Sequence, residues 1–292
     1  MATDAARLLP ALALVLNAFT WGVSWWPFRQ LEAHGLHPLW ATTLIYLAAV
    51  LVITLARPRA WRELLHTPPL WLLVIAAGTT NASFNWAVTI GDVVRVVLLF
   101  YMMPLWAVLL ARVLLGERLS RLAGLRVALS LAGAAIVLWP ADGLGWPVPR
   151  SLPEWLGLLG GFSFALNNVM LRREARRSEG ARALAMFVGG ALVAGTLAWA
   201  LGGGGGVPWP PAPAPGWVLG ALALSVAFLA GNLALQYGAA RLPANVTSVI
   251  MITEVLFAAV SAVWLGAGVL TAPLLWGGAL IVASALLATR KR

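Results

Sequence analysis

Apolar stretches about as long as a bilayer is thick recur along this chain, broken only at clusters of proline, glycine and arginine. That rhythm leaves few folds open. A helix needs roughly 20 largely apolar residues to cross the hydrocarbon core. Ten such stretches are expected, at 8–31, 38–56, 69–90, 94–114, 120–140, 153–172, 181–201, 216–238, 244–265 and 272–289. In hydrocarbon every backbone N–H and C=O must find a partner within the protein, so only helices and closed barrels span. The expected fold is an all-α integral membrane protein with ten transmembrane helices. Composition agrees, since only 10% of residues are charged and 61% are hydrophobic, whereas soluble domains carry about 25% charged residues.

The second constraint is an internal duplication. Asn81, Asn85 and Trp86 return 151 positions later as Asn232, Gln236 and Tyr237. In both copies the amides stand four residues apart, on one helix face, with an aromatic beside the second. The first helix of each half corresponds as well, because Trp21, Ser24, Phe28 and Arg29 align with Phe164, Asn167, Leu171 and Arg172 at a shift of 143. Leu115, Gly116 and Ser120 resemble Leu265, Gly266 and Thr271 with a one-residue slip. The expected organisation is a first five-helix repeat over 1–141, an external linker over 142–152 and a second repeat over 153–292. An odd number of crossings turns the second copy upside down, the inverted arrangement of many secondary transporters, whose sites lie between the repeats near the midplane.

The net charge of +10 raises the question of a nucleic-acid partner, and the positions of the basic residues answer it. With the N-terminus in the cytoplasm, 17 of the 20 lysines and arginines fall on or near the inner face, and only Arg29, Arg95 and Arg150 fall outside. This is the positive-inside bias, which accounts for the charge without nucleic acid and sets both termini in the cytoplasm of a bacterial inner membrane. Leu8 to Leu31 reads as a retained first helix rather than a cleaved signal. Thirteen of the sixteen tryptophans fall at span ends or in loops, an interfacial belt; Trp21, Trp86 and Trp106 do not. Cysteine is absent, and His34, His37 and His66 lie in expected loops. No phosphate loop, nucleophile elbow or zinc motif occurs. The chain is read as no enzyme, with no cofactor, no metal and no required protein partner.

The residues that stand out are polar or aromatic within the spans. Asn17, Trp21, Ser24 and Phe28 share one face of helix one; Phe164, Asn167, Asn168 and Leu171 form the corresponding stripe on helix six. With Asn81, Asn85, Trp86, Tyr101, Trp106, Asn232, Gln236 and Tyr237 they supply amides and aromatic walls. Such a lining suits a small zwitterion with an apolar side chain. The alternative is that the amides bond neighbouring helices, at about 0.6 kcal/mol each. Glu254, halfway along helix nine, is expensive in hydrocarbon and must be neutral, hydrated or paired. It either binds a substrate ammonium or carries a proton, or it is a hydrogen-bonded carboxyl fixing helix nine to helix six or eight. Its counterpart in the first copy is Met103, followed by Pro104, a candidate bend. Gly157, Gly160, Gly161, Gly189, Gly190, Gly277 and Gly278 read as tight helix packing.

The run Leu115-Gly116-Glu117-Arg118-Leu119-Ser120, after a proline-bearing fourth helix and before a glycine-containing fifth, resembles the EamA-type ten-helix members of the drug/metabolite transporter superfamily. Among these the chain is most similar to bacterial aromatic amino-acid exporters. It departs from the pattern in the second half, where Ala267 or Gly268 replaces the glutamate. The resemblance implies a central cavity lined by helices one, three, four, six, eight and nine, alternating access by rocking bundles, and export of small metabolites, above all amino acids with aromatic or bulky apolar side chains. A drug, nucleotide-sugar or lipid-linked-sugar carrier is the competing transporter, and a non-transporting scaffold or receptor the competitor from another class.

Overall fold

The computed structural model describes residues 2–116, 121–139, 146–239, 241–242 and 250–287, with side chains left out at 2–7, 115, 236 and 239. Every regular element among the described residues is an α-helix. In chain order these are α1 Ala2–Val23, α2 Trp25–Ala33, α3 Pro38–Ala56, α4 Arg59–Leu65, α5 Pro68–Ile90, α6 Val93–Phe100, α7 Met103–Leu115, α8 Arg121–Leu138, α9 Leu152–Arg173, α10 Glu179–Gly202, α11 Pro215–Ala239, α12 Thr253–Trp264 and α13 Ala272–Leu287. The protein is a multi-pass membrane protein. Six stretches among the described residues are long and apolar enough to cross: Leu8–Ala33, Pro38–Ala56, Val93–Leu114, Arg121–Leu138, Glu179–Gly202 and Pro215–Leu235.

The helix boundaries follow local chemistry. Pro38 opens α3 at a position where a missing N–H costs nothing. The His37 ring nitrogen accepts from Leu39 N at 3.2 Å. Burial pushes the His37 imidazole below the ordinary histidine range, which favours the neutral ring that this cap requires. Asp92 caps α6 by accepting from Arg95 N at 2.8 Å. Gly116, at φ 68°, ends α7 in the left-handed conformation that glycine adopts without a Cβ clash. On α4 the Glu63 carboxylate accepts from Ser178 N and Oγ, and the hydroxyl bond holds its pKa below the usual value.

Three expected spans are interrupted. Ser24 separates α1 from α2, its hydroxyl donating to Trp21 O at 2.8 Å. Tyr101 and Met102 separate α6 from α7. Ile252 separates the helical residues 250–251 from α12. Pro104 therefore sits in the first turn of α7, where proline is well tolerated, and does not bend a continuous helix four. Glu254 likewise lies in the first turn of α12, not halfway along an unbroken helix. A carboxylate there faces the positive end of the helix dipole.

The two long helices missing from the apolar set, α5 and α9, each carry two asparagines, and they pack more extensively on each other than any other pair. Buried polar atoms can be carried there because protein, not lipid, surrounds them. Around this pair, α10 packs on α5 and α3, α1 on α11 and α12, α6 and α7 on α9, and α8 on α13. The glycines behave as the sequence reading expects. A Cβ on Gly161 would fall 2.4 Å from Phe100 O, and one on Gly277 2.7 Å from Gly133 O. The motif residues 117–120, the start of the expected linker (142–145) and residues 243–249 lie outside the described residues.

Candidate functional site

A cavity of about 120 Å³ opens where α1, α5, α9, α10 and α11 meet the interrupted ends of α6 and α12. That is well beyond the ~10–15 Å³ a single water needs. Seven of the residues singled out by sequence line it: Asn17 and Trp21 from α1, Asn81 from α5, Phe164 and Asn167 from α9, Asn232 from α11, and Glu254 from α12. The helix set matches the one the resemblance implies, with Met186 of α10 as an addition.

Aromatic rings make the walls. Trp21 stacks on Phe228 at 4.5 Å between ring centroids, and Phe100 lies 4.7 Å from Phe84 and 5.3 Å from Phe164. The polar groups divide into satisfied and unsatisfied. Asn81 accepts a hydrogen bond from Tyr46 Oη and donates to Ala77 O, so its side chain is held by the protein. Tyr101 Oη donates to Glu254 Oε2 at 3.2 Å, joining the break in helix four to the break in helix nine. Asn17 donates only to the weak acceptor Met251 Sδ, at 3.6 Å. Asn17 Oδ1 and Asn167 Oδ1 are buried without a partner among the described residues, in side chains 1% and 2% exposed. Buried acceptors left unmet are costly and uncommon.

One prediction follows from the satisfied amide. Tyr46→Phe removes the donor to Asn81 Oδ1 and should cost about 1–3 kcal/mol of stability, read as a lower unfolding temperature in detergent. An unchanged value would mean that cavity water replaces the phenol.

The other residues singled out by sequence sit elsewhere. Asn85 is fully buried, one turn beyond Asn81, and donates to Thr42 Oγ1 at 3.1 Å, tying α5 to α3. Trp86 packs edge-on against His37 at 5.4 Å. Ser24 belongs to the α1 break, Tyr101 stands behind Glu254, and Trp106 meets Phe162 edge-on at 5.5 Å. Asn168, next to Asn167 on α9, is exposed and does not line the cavity. Tyr237 lies under the Arg241 guanidinium, 3.9 Å from its ring centre. The side chain of Gln236 lies outside those described. Seven lining residues were not singled out: Ala77, Thr80, Phe84, Phe100, Met186, Leu235 and Met251. Ala77, Thr80 and Phe84 complete an i, i+3, i+4, i+7 stripe with Asn81, so that helical spacing could have found them. Met186 and Met251 carry no such signal.

Comparison with known proteins adds a family match within the first half. Residues 8–139 match the EamA-like transporter family. An uncharacterized transporter of Pseudomonas aeruginosa is 34% identical over 48% of this chain and 50% of its own length. Protein RarD of Salmonella typhi is 29% identical over 60% of each chain. The chain thus spans about half the length of the first of these relatives and three fifths of the second. Neither name carries an amino-acid substrate. A protein of known crystal structure superposes over 98% of this chain and 96% of its own, at TM-score 0.57 and 21% identity. Likeness at that identity speaks to the fold alone.

Proposed function

We propose that this chain is a secondary transporter, not an enzyme, which exports small metabolites across a bacterial inner membrane by alternating access, aromatic or bulky apolar amino acids first among them. The observation that carries the reading is the cavity itself: buried polar groups and aromatic rings from both halves converge on it, and two of its acceptors lack partners among the described residues. The EamA-like match supports transport for residues 8–139. Helix packing supports treating the second half as a copy. Exchanging the halves turns α5 on α9 into α11 on α1, turns α7 on α9 into α12 on α1, and turns α10 on α5 into α3 on α11, while α3 on α10 and α8 on α13 map onto themselves. On this reading the chain crosses ten times, and the repeats 1–141 and 153–292 are inverted. Both termini are cytoplasmic, as the arginine distribution supports.

Counterflow in proteoliposomes tests transport: absence of saturable uptake for every labelled amino acid would discard it. Because the natural chain has no cysteine, introduced cysteines report sidedness cleanly. Arg62→Cys should react with an impermeant maleimide only from the inner face and Arg150→Cys only from the outer, whereas labelling of both from one side would remove the inverted topology. The cavity residues and the structural amides should separate as well. Asn167→Ala is expected to lower counterflow at unchanged stability. Asn85→Ala, which the sequence reading alone would place in the pathway, should instead cost about 1 kcal/mol of stability with flux retained, because its partner is Thr42. The reverse pattern would exchange their roles.

A further inference from the structure

The cavity's charge inventory is one-sided. Among its described lining residues there is one acid, Glu254, and no lysine, arginine or histidine. The two buried side-chain atoms that line it without partners are both acceptor oxygens, Asn17 Oδ1 and Asn167 Oδ1. Asn17 touches Met251, one turn before Glu254, so these acceptors converge on the start of α12. The remaining surface includes the rings of Trp21, Phe100 and Phe164, whose faces attract cations.

A zwitterion placed here would find acceptors and ring faces for its ammonium, but no cation for its carboxylate. A buried charge without a partner is far more costly than a paired one. We infer that the cavity holds its solute by an ammonium group, with Glu254, Asn17 Oδ1 and Asn167 Oδ1 as acceptors and the rings as walls, and that a carboxylate on the solute is dispensable. Monoamines with an aromatic body therefore belong to its substrate class alongside aromatic amino acids. This inference rests on the reading of the cavity as a solute site. It goes further by naming the group recognised. Tyr101 acts as a positioning residue, since its phenol holds one carboxylate oxygen of Glu254 and leaves the other for the ligand.

Three probes of one shape separate the possibilities: phenylalanine with both charged groups, phenethylamine with the ammonium alone, and 3-phenylpropionate with the carboxylate alone. Binding to the full chain in detergent is read by calorimetry, and flux of each compound by counterflow. Phenethylamine is expected to bind at least as tightly as phenylalanine, and 3-phenylpropionate not to bind. Glu254→Gln and Asn167→Leu should each weaken phenethylamine by about tenfold, which is ~1.4 kcal/mol, with unchanged thermal unfolding as the check that both variants fold. Should either variant fail to fold, the wild-type ranking of the three probes decides alone. Failure of phenethylamine to bind, or binding of 3-phenylpropionate as tight as that of phenylalanine, overturns the inference. The transport reading fails on a different result, namely that phenethylamine binds but none of the three probes shows saturable counterflow.

Discussion

Glu254→Gln is expected to reduce saturable counterflow by about tenfold or more, a loss of at least ~1.4 kcal/mol of stabilisation along the transport cycle. The substitution keeps the shape of the side chain and leaves an oxygen to accept from Tyr101 Oη, so the link between the two interrupted helices persists. What it removes is the one ionisable acid among the described cavity residues. It also removes a favourable interaction with the first turn of α12, worth only about 0.3–1 kcal/mol. Flux should therefore fall much more than folding stability. The measurement is counterflow and thermal unfolding on the same preparation. Flux within twofold of wild type would assign the carboxyl to helix fixation, the alternative left open by the sequence.

Gly189→Val should have the largest effect on stability. A Cβ on Gly189 would lie 2.1 Å from Val74 O, and one on Gly78 would lie 2.3 Å from Gly189 O. Both obstacles are backbone atoms, so no rotamer change relieves them, and α5 and α10 would have to move apart. Their separation would disturb a neighbouring contact as well, because Gly190 lets the Tyr46 ring approach to where a Cβ would meet Cδ1 at 2.1 Å. Tyr46 holds Asn81 at the cavity wall. The expected cost is about 3 kcal/mol or more, at or beyond the upper end for overpacked cores, seen as a large drop in unfolding temperature and a broadened size-exclusion peak. Gly195→Ala is the mild comparison, since its Cβ would meet the Thr43 side chain, 3.2 Å from Cγ2 and 3.4 Å from Oγ1, and not a backbone atom as at Gly189. Equal stability for the two variants would show that α5 and α10 are not in close contact.

How much of the cavity was legible in advance depended on the kind of signal. The stripe Asn17 and Trp21, the repeated amide Asn81/Asn232 and the lone acid Glu254 are all anomalies in an apolar background, and the structure brings these to one cavity. The same anomaly misleads at Asn85. Its spacing from Asn81 puts both on one side of a helix, yet the added turn carries it toward Thr42 on α3 rather than the open space. Trp106 and Asn168 fail for the same reason, since helical phase orders the faces of a helix but does not say which neighbour stands opposite each one. The broken helices were not legible either. Pro104 marks a bend near Tyr101 without placing it, and nothing in the run around Ile252 excludes a continuous helix; in the structure α6 and α12, which border the two breaks, pack against each other.

The sequence by itself determined that the backbone must be helical and bilayer-spanning, because hydrocarbon forbids unpaired peptide groups, and it marked two related sets of polar residues that could not all face lipid. Only the tertiary structure decided which of those residues share a cavity and which serve as ties between helices. The physical reason is that hydrogen-bond satisfaction is a property of pairs. Asn81 and Asn85 are the same residue type one turn apart on α5, but one lines the cavity under the hold of Tyr46 and the other is bound to Thr42, and no reading of either residue alone distinguishes them.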